Sequence, residues 1–96
     1  MKGVYVVRNK IACENVTDIF TMPNDIMAAI SFRSFVLGSQ NRAKRENIPA
    51  EKDTHFTLEK VGEISQDNIL SPIDNDIEVV ACGLQEAEQI INAAED

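Results

Sequence analysis

One stretch of this chain, residues 24–45, limits the possible folds more than any other, because it joins a helix start signal to a wide apolar stripe. The side-chain carbonyl of Asn24 suits an N-cap, and Asp25 sets a negative charge at the positive end of the helix dipole. Pro23 disfavours helical geometry at Met22 and marks the same boundary from the other side. Ile26, Ala29, Ile30, Arg33 and Leu37 recur at spacings of three and four, and Phe32, Phe35 and Val36 widen the apolar face. This spacing predicts a helix over residues 24–38, with Ile26, Ile30 and Leu37 buried against a sheet and Gly38 as its stop. Beyond Gly38, the run Ser39-Gln40-Asn41-Arg42-Ala43-Lys44-Arg45 gathers three cations. Residues 39–54 lack sustained periodicity and contain Asn47 and Pro49, which predicts an exposed basic loop. The Arg, Ala, Lys and Glu residues within 40–46 are also good helix formers, so a continued helix is the other reading.

Around this helix the chain reads as short strands. Residues 3–7 are β-branched and aromatic and predict a strand, followed by a tight turn at Arg8-Asn9-Lys10 and a short return at Ile11-Ala12-Cys13. Ile19 and Phe20 are expected under the sheet. Residues 54–61 alternate with Phe56 and Leu58 facing inward, and Gly62 marks a bulge or bend. Turn-forming clusters at residues 65–68 and 71–76 flank Ile69-Leu70, and a clear strand covers residues 77–82. After Gly83, residues 84–94 form a second helix with Leu84, Ala87, Ile90 or Ile91, and Ala94 on one face. Short, turn-like connections favour antiparallel pairing. The expected fold is therefore α+β: residues 1–96 as one domain, with a small antiparallel sheet of three to four strands packed by a central helix and a second C-terminal helix. A short sheet leaves open edges, so pairing into a homodimer is expected, at an edge or through the second helix.

Charge is distributed unevenly. Residues 1–52 carry eight Lys/Arg against five Asp/Glu, whereas residues 53–96 carry one against eleven. Such polarity orients a molecule against a polyanion while its acidic part stays away. Apolar content of 44% and charged content of 26% are ordinary for a globular domain. With no Trp, one Tyr and four Phe, the core must be mainly aliphatic. Cys13 and Cys82 are too few and too far apart for a metal-ligand motif and read as reduced thiols used as small hydrophobes. The opening residues lack the pattern of a secretory leader, and no apolar run approaches the roughly 20 residues needed to cross a bilayer. These features give a cytoplasmic expectation, that of a host cell for a viral protein, with no membrane partner.

Enzyme chemistry finds little support in the residues. His55, the sole histidine, sits at a loop–strand junction beside Asp53 and Thr54, where a general acid or base is conceivable but a solvated surface residue is commoner. Asp74, Asp76 and Glu78 alternate, yet the EF-hand pattern fails at its glycine and its terminal glutamate. No Gly-rich phosphate loop is present. No catalytic residue, metal ligand or cofactor is therefore expected. The basic segment is the better candidate: Arg42, Lys44 and Arg45, joined by Arg33 and Lys52, suit phosphate contacts, with Gln40 and Asn41 as neutral donors. The competing reading is a solubilising loop balanced by Glu46 and Glu51, because no aromatics interleave these cations in sequence. The second helix adds an interaction option, since Ile90 and Ile91 fall on adjacent faces.

The order of these pieces resembles the small nonstructural protein of gokushoviruses, the Chlamydia-phage-like microviruses with single-stranded DNA genomes. The resemblance rests on the strand at residues 3–7, the extended segment from Ile19 to Asn24, and the helix from Asp25 containing Arg33, Ser34 and Phe35. Its strongest piece is the block at residues 53–64, with Phe56, Gly62 and Ile64, and a strand ending near Val79-Val80-Ala81 completes it. The loop at residues 39–52 is longer and more basic than the family pattern, and the acidic helix after Gly83 is an addition to it. What the resemblance implies is a non-enzymatic phage accessory protein that binds single-stranded DNA in genome replication or packaging. The alternative is a protein–protein interaction or scaffold-like module, with a viral or host partner and no affinity for nucleic acid.

Overall fold

Val4, Tyr5, Val6 and Val7 form the middle of β1 (Lys2–Asn9), and a second long strand, β4 (Phe56–Ile64), runs antiparallel along all of it. The computed structural model in which this pairing is seen describes residues 2–49, 52–65, 70–72 and 78–95. Val4 faces Gly62 while Tyr5 faces Lys60, so Val61 is an extra residue, a bulge immediately before the glycine. The outer edge of β1 is completed by β2 (Glu14–Asn15) at one end and β3 (Phe20–Met22) at the other. The outer edge of β4 carries β6 (Glu78–Cys82) and β5 (Leu70–Pro72) in the same divided way. Among the described residues all pairings are antiparallel, and six strands make a sheet four positions wide. Two helices, α1 (Asp25–Arg45) and α2 (Gly83–Glu95), complete the α+β fold. Tyr5 and Val7 from β1, Phe56 and Leu58 from β4 and Ala81 from β6 share one core with Phe32 and Val36 of α1 and Ala87 and Ile91 of α2. Val4 and Val6, of opposite parity on β1, are buried but stand outside that cluster.

α1 starts where the sequence indicates: the Asn24 side-chain oxygen accepts the Met27 amide at 2.9 Å. Its end lies elsewhere. The helix passes through Gly38 without a break and runs to Arg45, so the basic segment is the last turns of a helix and not a loop. The true stop is Asn47, at φ +53°, with Ile48 N–H donating to Ala43 O at 3.0 Å and Asn47 N–H to Lys44 O at 3.3 Å. Those two bonds are a Schellman closure with Asn in the left-handed position, and Pro49 follows two residues later. Arg42, Lys44 and Arg45 fall where the helix dipole is negative, which favours cations. The mid-helix Gly38 costs about 1 kcal/mol relative to Ala, a deficit that burial of Val36 and Ala43 on either side offsets.

The buried stripe of α1 is also turned from the expected one. Ala28, Ala29, Phe32, Val36 and Ala43 are buried, Ile26 and Ile30 are half-buried, and Leu37 is 43% exposed. The buried stripe is centred on small alanines and joins a core shared with the sheet and α2, so the larger aliphatic side chains sit at its flanks. Between β1 and β2, residues 10–13 form the turn and do not return as a strand. The Asn9 side-chain oxygen accepts the amides of Ile11 at 3.0 Å and Ala12 at 3.1 Å, and Cys13 closes the turn at φ +55°. Ile19 is 65% exposed, not tucked under the sheet, and only Phe20 packs there, stacked 6.0 Å from Tyr5. Cys13 is exposed rather than a small hydrophobe, whereas Cys82 is half-buried. Leu70–Pro72, expected partly as turn, pairs with Gly62–Ile64. The expectations at residues 66–69 and 73–77, Asp74 and Asp76 included, lie outside the described residues.

A 3-10 turn (Asp53–His55) precedes β4 and caps α2: Asp53 Oδ2 accepts the Leu84 amide at 2.8 Å. Gly83 sits at φ +79°, and an added Cβ there would approach Asp53 Oδ2 to 2.9 Å, so the cap requires glycine. Two substitutions test this packing by urea denaturation. Leu58→Ala removes a side chain that is 0% exposed and should cost about 2–5 kcal/mol. Leu37→Ala should cost well under 1 kcal/mol, because the side chain is largely solvated.

Candidate nucleic-acid interface

From Leu37 to Arg45 only Ala43 is buried, so the second half of α1 presents its side chains to solvent. Phe35 meets Phe56, the first residue of β4, edge-to-face at 5.6 Å. The ten residues of α1 after Phe35 extend about 15 Å further, at 1.5 Å each. This free end carries Arg42, Lys44 and Arg45, all exposed. Arg42 Nε lies 3.3 Å from the Glu46 carboxylate, and its side chain is still 71% exposed. An exposed i,i+4 pair of this kind contributes only about 0.3–0.5 kcal/mol, so a phosphate competes readily for the guanidinium.

The five expected contact residues are not one patch. At about 100° per residue, Arg42 and Arg45 are neighbours across one turn, while Lys44 projects about 160° round the helix from Arg42. Arg33 is half-buried and lines up with Lys44, three turns and about 16 Å away along the helix. Lys52 is exposed but belongs to the segment that leads into the 3-10 turn. The structure thus brings Arg42 and Arg45 together, puts Lys44 and Arg33 on another side of α1, and leaves Lys52 apart.

Beside Arg42 lies a feature that the sequence reading missed. A hollow of about 480 Å³ is lined by Val16, Ser34, Phe35, Gly38, Ser39 and Arg42. A second, of about 340 Å³, continues from Ser39 and Arg42 to Ala43, Ile48 and Pro49. Phe35, Gly38, Ser39 and Arg42 recur at helical spacing, which is the signal that would have joined an aromatic to the cations. A helix stop at Gly38 hides it, because the stripe then ends before Arg42.

A different polar cluster lies at the other end of α1. Tyr5 O–H donates to Asp25 Oδ1 at 2.6 Å, and Lys60 Nζ donates to Glu63 Oε1 at 2.9 Å, around a hollow of about 430 Å³. An added Cβ on Gly3 would collide with the Tyr5 hydroxyl, so glycine makes room for the phenol. These groups satisfy one another, and the pairing ties the start of the helix to the sheet. His55 is half-buried, and its carbonyl accepts the Lys10 amide at 2.9 Å. Among the described residues no group of three or more His, Cys, Asp or Glu could hold a metal ion, and no helix is long and apolar enough to cross a membrane.

Burial, then the hydrogen bond to Asp25, pushes the Tyr5 phenol well above its ordinary range. The hydrogen bond to Glu63 lifts the Lys60 ammonium above its usual value, against a smaller opposing effect of burial. Both groups keep their protons in the fold at pH values where the unfolded chain is losing them. Their contribution is complete below pH of about 10 and is lost as pH climbs through the raised range. Tyr5→Phe should therefore cost roughly 1 kcal/mol at neutral pH and flatten the fall in stability above pH of about 10. Denaturation of both proteins across that range checks it, and parallel curves would contradict the assignment.

The chain matches no protein-family model, no curated protein and no solved structure, so its own residues and geometry carry the functional argument.

Proposed function

We propose that this chain is a non-enzymatic protein that binds nucleic acid by its phosphate backbone, through the free end of α1. The observation that carries the reading is the exposure of Arg42 and Arg45 as neighbours on one side of the helix end, with Lys44 exposed on another side of the same turns. Phosphate contacts by Arg and Lys release condensed counterions, a driving force that needs no sequence readout. α2 carries Glu86, Glu88 and Glu95 without a single Lys or Arg, so repulsion turns that side of the molecule away from a polyanion. Together with the resemblance to the gokushovirus nonstructural protein, this suggests a role with single-stranded DNA in genome replication or packaging in the host cytoplasm. The second reading, an interaction module, is favoured by one feature: among the described residues the outer edge of β6 pairs with nothing, and Val79 there is exposed. A second copy or another protein has a strand edge to extend there.

Fluorescence anisotropy against a labelled oligonucleotide at several salt concentrations distinguishes the two. Two phosphate contacts on a single strand, from Arg42 and Arg45, should give a log–log salt slope of about −1.4 per chain, at roughly −0.7 per contact. Replacing Arg42, Lys44 and Arg45 with Ala should weaken binding on all sequences alike and flatten that slope. It should change stability by less than about 1 kcal/mol. Absence of binding at low salt, or equal binding by the triple variant, would favour the interaction module instead.

A further inference from the structure

We infer that the trough along α1 beside Arg42 is a stacking site for unpaired bases, which makes the ligand a single strand rather than a duplex; the inference rests on the reading just given for the basic end. Gly38 is the first reason. Glycine is, after proline, the least favourable residue for a helix interior, and here neither crowding nor backbone conformation requires it. Its φ is not positive, and an added Cβ would meet nothing within 4 Å. The fold gains nothing from glycine at this position. What glycine leaves is an open floor between Phe35 and Arg42, so that a flat ring can approach the helix closely.

The walls of the trough suit such a ring. Phe35 is half-buried and held by the edge-to-face contact with Phe56, an interplanar angle of 86°, so its ring is fixed before any ligand arrives. Arg42 borders both hollows, and its guanidinium is planar, exposed and able either to stack on a base or to clamp the phosphate beside it. Ser34 and Ser39 put hydroxyl groups on the rim, donors and acceptors that accept any base edge. Arg45, one turn beyond Arg42, continues the positive charge along the helix. An aromatic platform beside cations that track a backbone is the arrangement by which single strands are bound without sequence preference. In a duplex the base faces are already stacked on one another, so its phosphates reach the cations but its bases cannot enter.

Three probes and two variants test the inference by anisotropy at low salt: a labelled oligothymidine, an abasic oligomer with the same number of phosphates, and a duplex of that length. The wild type should bind oligothymidine roughly tenfold or more tighter than the abasic oligomer, as one or two stacked bases give. Gly38→Leu fills the trough with a good helix former. It should lower oligothymidine affinity to the abasic level while leaving abasic and duplex binding unchanged, with a melting temperature no lower than wild type. Gly38→Ala should raise the melting temperature and keep most of the preference for intact bases. Equal wild-type affinity for intact and abasic oligomers would overturn the stacking site and leave the basic end standing. A base preference that survives Gly38→Leu would overturn the placement in this trough. Failure of the wild type to bind any of the three would overturn both readings.

Discussion

The pairing of β1 with β4 is the constraint on which the other elements depend. It joins Lys2–Asn9 to Phe56–Ile64 across about half the chain, and every other strand is an addition to one outer edge of this ribbon. Such a contact must close a long loop before it gives any return in burial, which makes it slow to form and strongly cooperative with the helices that cover it. Tyr5 and Leu58, both fully buried, are the points where that pairing becomes core. The bulge at Val61 sits beside Lys60, the partner of Tyr5, so the same irregularity borders the polar cluster that fastens the start of α1.

From this follows the division of α1 into two halves with different work. Its first half is held at one end by Asn24 and by Tyr5 on Asp25, and along its face by Phe32 and Val36. Its second half has passed the first residue of β4 and keeps only Ala43 buried, closed by the Asn47 turn. A helix anchored firmly at one end can present side chains at the other with little local reorganisation, which is what a binding surface needs. The acidic α2, capped by Asp53, packs against α1 within the same layer and keeps its carboxylates on a separate helix.

Much of this was legible in the residues. The Asn24 cap, the inward Phe56 and Leu58, the strand leading into Cys82 and the helix after Gly83 all follow from local propensity and period. The end of α1 is less legible because a mid-helix glycine looks like a stop, although a stronger signal, Asn47 followed by Pro49, stands nine residues further on. Leu37 is large and on period, which favours the inside, yet the stripe that is buried is the one carrying the smaller Ala28 and Ala29. The links of Tyr5 to Asp25 and of Asp53 to Leu84 are invisible for a different reason: each joins residues 20 or more apart that strand pairing brings together, β3 on β1 for the first and β6 on β4 for the second. The same holds for the trough, whose Val16 and Ile48 come from outside the helix.

The central claim is that one flank of α1, from Phe35 to Arg45, meets nucleic acid while α2 does not. A titration of the isotopically labelled protein with oligothymidine, followed by backbone amide NMR shifts at low salt, tests it most directly. The account predicts fast-exchange shifts at Gly38, Ser39, Arg42, Arg45 and Ile48, with Glu86 to Ile91 unmoved. Shifts confined to β6 and α2, or none at any residue, would contradict it.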